Sequence, residues 1–151
     1  MNIEKVENNR EKFIDILLLA DPDITMIEKY LYIGDIFALY YNDLKSVCIV
    51  TKENDDVCEI KNISTYEKYQ NKGYGKILIK YIIKYYKDKF KKIIVGTGNS
   101  SVSNIHFYKN CGFSYSHTIK DFFIHNYKNE IFENGIQCVD MIYLEKSLDI
   151  D

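Results

Sequence analysis

The 151-residue chain has a single proline, Pro22, no tryptophan and only 7 glycines. With 46% hydrophobic residues, that scarcity excludes a collagen-like, low-complexity or disordered chain. Its 4 cysteines, Cys48, Cys58, Cys111 and Cys138, are scattered and form no Cys-x-x-Cys pair. None has a histidine at finger spacing, and His106, His117 and His125 share no metal spacing, so no metal site is expected and reduced thiols are the simpler reading. Charge of one sign is lacking too: 20 Lys and Arg stand against 22 Asp and Glu, which excludes a general electrostatic grip on nucleic acid. The longest apolar run near the start, Ile16 to Ala20, lies between Asp15 and Asp21. It is too short for a signal core, and nothing approaches a membrane span. The expectation is a soluble, cytoplasmic protein without a membrane or nucleic-acid partner.

What remains is enough for one domain, residues 1–151, with a core of its own. Asn2 to Glu7 reads as a short strand. Phe13, Leu17 and Ala20 give helical spacing over Arg10 to Ala20, stopped by Asp21-Pro22, and a second short helix follows over Ile24 to Leu31. Ile36 to Tyr41 and Lys45 to Lys52 flank Asn42-Asp43 as a hairpin, and the strand from Val57 extends the run. Gly73 to Phe90 is the longest helical stretch, with Lys76, Lys80, Lys84 and Lys87 outward and Ile77, Leu78, Tyr81, Ile82 and Tyr85 inward. Then come a strand over Lys92 to Thr97, a helix over Ser103 to Asn110 closed by Gly112, a strand from Phe113 and a last strand over Val139 to Leu144. This order implies an α/β fold, a mixed sheet with helices on its faces. Phe122 to Gln137 matches no single pattern.

The informative spot is Gln70-Asn71-Lys72-Gly73-Tyr74-Gly75-Lys76, between a strand and the long helix. A glycine turn there points free amides and the positive end of a helix dipole at one place, an arrangement suited to phosphate. A Walker A loop is excluded by Gln70 and Ile77, and a dinucleotide fingerprint by the presence of only Gly73 and Gly75.

Gln-x-x-Gly-x-Gly after a strand, with Ile63-Ser64-Thr65 before it and Lys-Ile-Leu-Ile after, resembles the pyrophosphate loop of the GNAT superfamily of N-acetyltransferases. About 35 residues later, Asn104 to Phe113 contains Tyr108-x-x-x-Gly112-Phe113, similar to the family's second element. The usual first glycine is replaced by Asn71, which tolerates positive φ. The resemblance implies a mostly antiparallel central sheet and acetyl-coenzyme A as co-substrate. It places the pantetheine arm along Ile63, Ser64 and Thr65, and the pyrophosphate on Gln70, Asn71, Lys72, Gly73, Tyr74, Gly75 and Lys76. Asn104 either bonds the pantetheine or caps its helix.

Acyl transfer to an amine needs a neutral nitrogen and a proton for the departing thiolate. A lysine-like ammonium, pKa ~10.4, costs roughly 4–5 kcal/mol to deprotonate at pH 7, so a base is useful. Glu59, fourteen residues before Gly73, matches the place of the glutamate base in several GNAT enzymes; it reads equally as a strand glutamate. Acting as a base requires burial to raise its pKa, or water to relay the proton. Tyr108, a phenol neutral at pH 7, stands where the family places its general acid. On the acceptor side, Asp121, Glu130 and Glu133 are candidates to attract a cationic amine. The acceptor is expected to be the primary amine of a small molecule; a peptide amine, or a non-catalytic acyl-coenzyme A module, stay open. A second copy of the chain is a candidate partner.

Overall fold

In the computed structural model, which describes residues 1–149, seven strands form one sheet in the order β1-β2-β3-β4-β5-β9-β6. They are β1 (Asn2–Val6), β2 (Asp35–Tyr41), β3 (Asp43–Lys52), β4 (Val57–Thr65), β5 (Lys92–Gly98), β6 (Ser114–Ile119) and β9 (Met141–Ser147). Only β4 and β5 pair in parallel; every other neighbour in this sheet is antiparallel. Helices α1 (Ile14–Leu17) and α2 (Ile24–Leu31) cover one face, and α3 (Tyr74–Tyr86) and α4 (Val102–Asn110) the other.

The near-continuous apolar runs of β2 and β3 follow from this double cover. Phe37, Leu39, Cys48 and Val50 pack on the α3 side, while Ile36, Ala38, Val47 and Ile49 pack on the α1–α2 side. Successive side chains of a strand point to opposite faces, so both sets are core. The hairpin between β2 and β3 turns on Asn42, whose φ of 71° is one that asparagine adopts readily.

Two expected helices differ from the pattern. The first is a 3-10 turn, Arg10–Phe13, running into a single α turn that ends at Leu17. Arg10 donates through Nη1 to the carbonyls of Leu31 and Gly34, so a tertiary tie to the end of α2 shapes the start of this helix. The long helix stops at Tyr86, not Phe90, and buries Leu78, Ile79, Ile82 and Tyr86. Ile77 and Tyr81, expected inward, are each 37% exposed. The four lysines do face solvent, but so many apolar residues flank them that the lysine stripe leaves the phase open by about a residue.

The segment without a pattern contains α5 (Phe122–Asn126) and a two-stranded ribbon, β7 (Phe132–Glu133) with β8 (Ile136–Gln137). Asn99 anchors its end, accepting from the amides of Val139 and Asp140 and donating to the carbonyl of Gln137. Elements this short depend on such ties, because their own residues carry little propensity.

Two irregularities of β4 create the opening at the centre of the sheet. Pairing with β5 runs from Val57↔Lys92 to Ile60↔Val95 and then ceases, although β4 continues to Thr65 and β5 to Gly98. Against β3, Ile49 faces Asn62 while Val50 faces Ile60, which leaves Lys61 as a bulge. The extra residue reverses the alternation. Cys58 and Ile60 pack toward α3, whereas Asn62 donates to Leu17 O and Tyr30 Oη on the other face.

Candidate active site

Beyond Ile60 the two parallel strands diverge and open a cleft of about 670 Å³. Its walls include Ile60 to Ile63 and Thr65 from β4, and Val95 to Gly98 from β5. The edge of β4 facing this space has lost its strand partner, so its free amides and carbonyls can receive an extended chain.

At one end lies the glycine turn. Asn71 has φ 62° and Gly73 φ 90°, so the expected left-handed residues are where the sequence puts them. Gln70 Nε2 donates to Thr65 O at 3.1 Å and closes the turn back onto β4. No side chain caps α3 at Gly73, and the first amides of any α-helix lack intrahelical acceptors. Those donors, with the positive end of the helix dipole, form an anion seat. A Cβ on Gly73 would meet nothing within 4 Å, so the space over the turn is open. A Cβ on Gly75 would come within 3.3 Å of the Phe107 ring, so this glycine lets α3 approach α4 closely.

The turn is braced by residues that sequence reasoning passed over. Lys45 Nζ lies 3.4 Å from the centroid of the Tyr69 ring, and Tyr69 Oη donates to Asp43 at 2.6 Å. Lys45 also pairs with Asp43 two residues before it, but neither pattern nor spacing singles it out, because its aromatic partner Tyr69 lies beyond β4 in the sequence.

Gln70, Asn71, Gly73, Tyr74, Gly75, Lys76, Ile63 and Thr65 all line the cleft, as do Asn104 and Tyr108. Ser64 and Lys72 do not. Ser64 Oγ donates to Asn62 on the opposite face, which leaves only its backbone for a ligand. Asn104 makes no capping bond; the residue at the start of α4 is Ser101. Tyr108, one turn beyond Asn104, is 6% exposed between Phe107 and Phe113. Burial pushes its phenol above the ordinary value, so it is neutral at any physiological pH.

Glu59 is 5% exposed and sits one residue before the opening, outside the cleft wall. Its carboxylate meets Lys61 Nζ at 3.2 Å and accepts from Tyr143 Oη at 3.3 Å. Burial raises its pKa to about 7, although Lys61 pulls the other way. A carboxylate so placed holds a proton near neutrality, and its partner Lys61 lines the cleft.

The far end of the cleft is built by Ala20, Asp21 and Pro22 and by Phe123, Tyr127, Ile131 and Glu133. Of the three carboxylates expected to attract an amine, Glu133 alone lines the cleft. It accepts from Ser100 Oγ at 3.0 Å and Ser101 Oγ at 2.6 Å, pinning the ribbon to the start of α4. Asp121, with φ 57°, starts α5, and Glu130 is exposed. His117 stacks on Tyr143, and His106 and His125 are exposed.

Residues 11–113 match the model of the acetyltransferase (GNAT) family. The chain belongs to the GNAT family. An N-acetyltransferase of Bacillus subtilis, YvbK, is 39% identical over 150 residues, covering 95% of this chain and 94% of that one. A GNAT family acetyltransferase from Elizabethkingia anophelis, solved with acetyl-CoA bound, is 38% identical with a TM-score of 0.93, each chain covered to 97%. A Bacillus subtilis acetyltransferase solved with CoA is 38% identical with a TM-score of 0.88, again with 97% of each chain covered. This GNAT protein is an acetyl-CoA-dependent N-acetyltransferase. Among its described residues no helix is long and apolar enough to cross a membrane.

Proposed function

We propose that the enzyme acetylates a primary amine of a small molecule by direct attack, with Tyr108 as general acid and Glu59 as a water-relayed general base. Acetyl-CoA supplies the acyl group as a thioester. The amides of Asn71 to Lys76 hold its pyrophosphate, and the free edge of β4 at Ile63 to Thr65 orients its pantetheine arm, with Asn104 alongside. Glu59 takes the proton that the amine sheds on attack, through water at Lys61. Tyr108 donates its hydroxyl proton to the sulfur as the carbon–sulfur bond breaks, and solvent returns that proton.

The choice of a small acceptor rests on one observation, the closure of the far end of the cleft. Tyr127 Oη reaches across 106 residues of sequence to donate to Asp21 at 3.0 Å. The ribbon behind it is fastened through Glu133 and Asn99. A peptide running through would have to break these ties, whereas a compact amine fits beside them. A coenzyme A thiol-release assay over small amines and short peptides tests the reading. Sustained turnover confined to small amines is expected; preferential turnover of peptides would overturn it.

A further inference from the structure

Asp21 and Glu133 both line the cleft with neutral protein partners, but Glu133 fastens the ribbon to Ser100 and Ser101, whereas Asp21 stands beside aromatic rings. Asp21 accepts from Asp23 N–H at 3.2 Å, from Tyr30 Oη at 3.2 Å and from Tyr127 Oη at 3.0 Å. A carboxylate offers about four acceptor sites, so a lone pair is left over. No Lys, Arg or His lies within ion-pair distance of it among the described residues. Lys61, the basic residue of β4 that lines the cleft, is itself flanked by Glu59 at 3.2 Å and Glu53 at 3.8 Å. A half-buried carboxylate held only by neutral donors lacks a cation, which stabilises it more than a further hydrogen bond does. The rings of Phe123 and Tyr127, 5.1 Å apart between centroids, line the same end of the cleft and offer faces that attract a cation.

We infer that Asp21, with Phe123 and Tyr127, binds a second, non-reacting ammonium of the acceptor, so that the preferred substrates are small diamines or polyamines. The inference rests on the amine-acetylation reading above and deepens it. Asp21 and its partner Tyr30 belong to the α1–α2 side of the sheet, whereas Tyr108 belongs to the α4 side. An acceptor that touches both therefore passes through the gap between β4 and β5. Only the far end of that acceptor meets Asp21. The reacting nitrogen must lose its proton to attack, and a carboxylate clasping it would hold the proton in place. The charge that Asp21 holds is consequently a separate one on the same molecule.

The test compares pentane-1,5-diamine with pentan-1-amine as acceptors at one pH and saturating acetyl-CoA. The diamine is expected to have a kcat/KM at least tenfold higher, carried mainly by KM. In Asp21→Asn, which keeps an acceptor oxygen for Tyr127, that advantage should disappear through KM while the monoamine constants stay within about twofold. Acetyl-CoA affinity measured by calorimetry should be unchanged and reports that the variant is folded. Equal kcat/KM for the two amines in the natural enzyme overturns the inference without any variant, as does an equal loss on both in Asp21→Asn. Calorimetry of pentane-1,5-diamine with the CoA-loaded protein separates this inference from the reading beneath it. Binding that Asp21→Asn weakens at least tenfold, without turnover of either amine, would retain the ammonium seat and refute amine acetylation of that substrate class. Turnover of the diamine undiminished in Asp21→Asn would do the reverse.

Discussion

Tyr108 reaches its position because α4 buries the ring between Phe107 and Phe113 while leaving the residue on the cleft wall. Burial raises the phenol above its usual ~10, and a thiol sits near ~8.5, so complete transfer of the proton to a free thiolate is uphill. The hydroxyl therefore acts while the sulfur is still gaining charge, where a hydrogen bond aimed at it strengthens in the transition state. Under the proposed mechanism, Tyr108→Phe keeps the ring and its packing and removes the proton. Turnover should fall at least tenfold, within the roughly 100–10,000-fold range for a positioned acid. Acetyl-CoA affinity should barely change, since the hydroxyl contributes to the transition state more than to binding. Steady-state thiol release beside calorimetry separates the two. Unchanged turnover would remove Tyr108 from the chemistry.

The turn between β4 and α3 joins conformation and binding at the scale of an element. Gly73 and Gly135 both have positive φ, 90° and 77°, and a Cβ at either would meet nothing within 4 Å. Valine at each position should cost a similar ~1–2 kcal/mol in backbone strain. Only Gly73 stands over the amides of the anion seat. Gly73→Val should therefore abolish acetyl-CoA binding in calorimetry, while Gly135→Val leaves it intact with a comparable drop in Tm. Equal effects on binding would mean that the loss is one of stability alone.

Features that depend on neighbouring residues were legible in the sequence at this scale. Asn71 and Gly73 set the turn, Gly112 with φ 96° ends α4, and the paired apolar runs give β2 and β3. Features that depend on distant residues were not. The bulge at Lys61 exists only against Ile49 and Val50 of β3. Residues 122–137 take their shape from Asn99, Ser100 and Ser101, so no local period announces the ribbon. Asp21 reads in the sequence as a helix stop beside Pro22. Its place in the cleft comes from Tyr127, 106 residues away.

For the molecule as a whole, the burial of Glu59 makes stability and activity respond to pH in opposite directions. Its pKa of about 7 in the fold stands above the ordinary value of 4.5. The native state thus binds the proton more tightly than the unfolded chain does. The stabilisation this gives is complete below about pH 4.5 and is lost as pH rises through about 7, a difference of order 3 kcal/mol. Other groups, Asp21 among them, titrate in both proteins and cancel when the natural enzyme is compared with Glu59→Gln. Between pH 5 and pH 8 the Tm of the variant should rise relative to the natural enzyme by several degrees. A base must be ionised to act, so the same titration should raise kcat/KM as pH passes 7 in the natural enzyme. Glu59→Gln should lose that inflection and keep only the slope contributed by the amine acceptor, which titrates near ~10. Paired melting curves and pH–rate profiles test both halves. A Tm difference that shifts with pH, beside a profile that Glu59→Gln leaves unaltered, would mark Glu59 as a buried acid of the sheet without a part in catalysis. The amine would then lose its proton by another route, directly to solvent water.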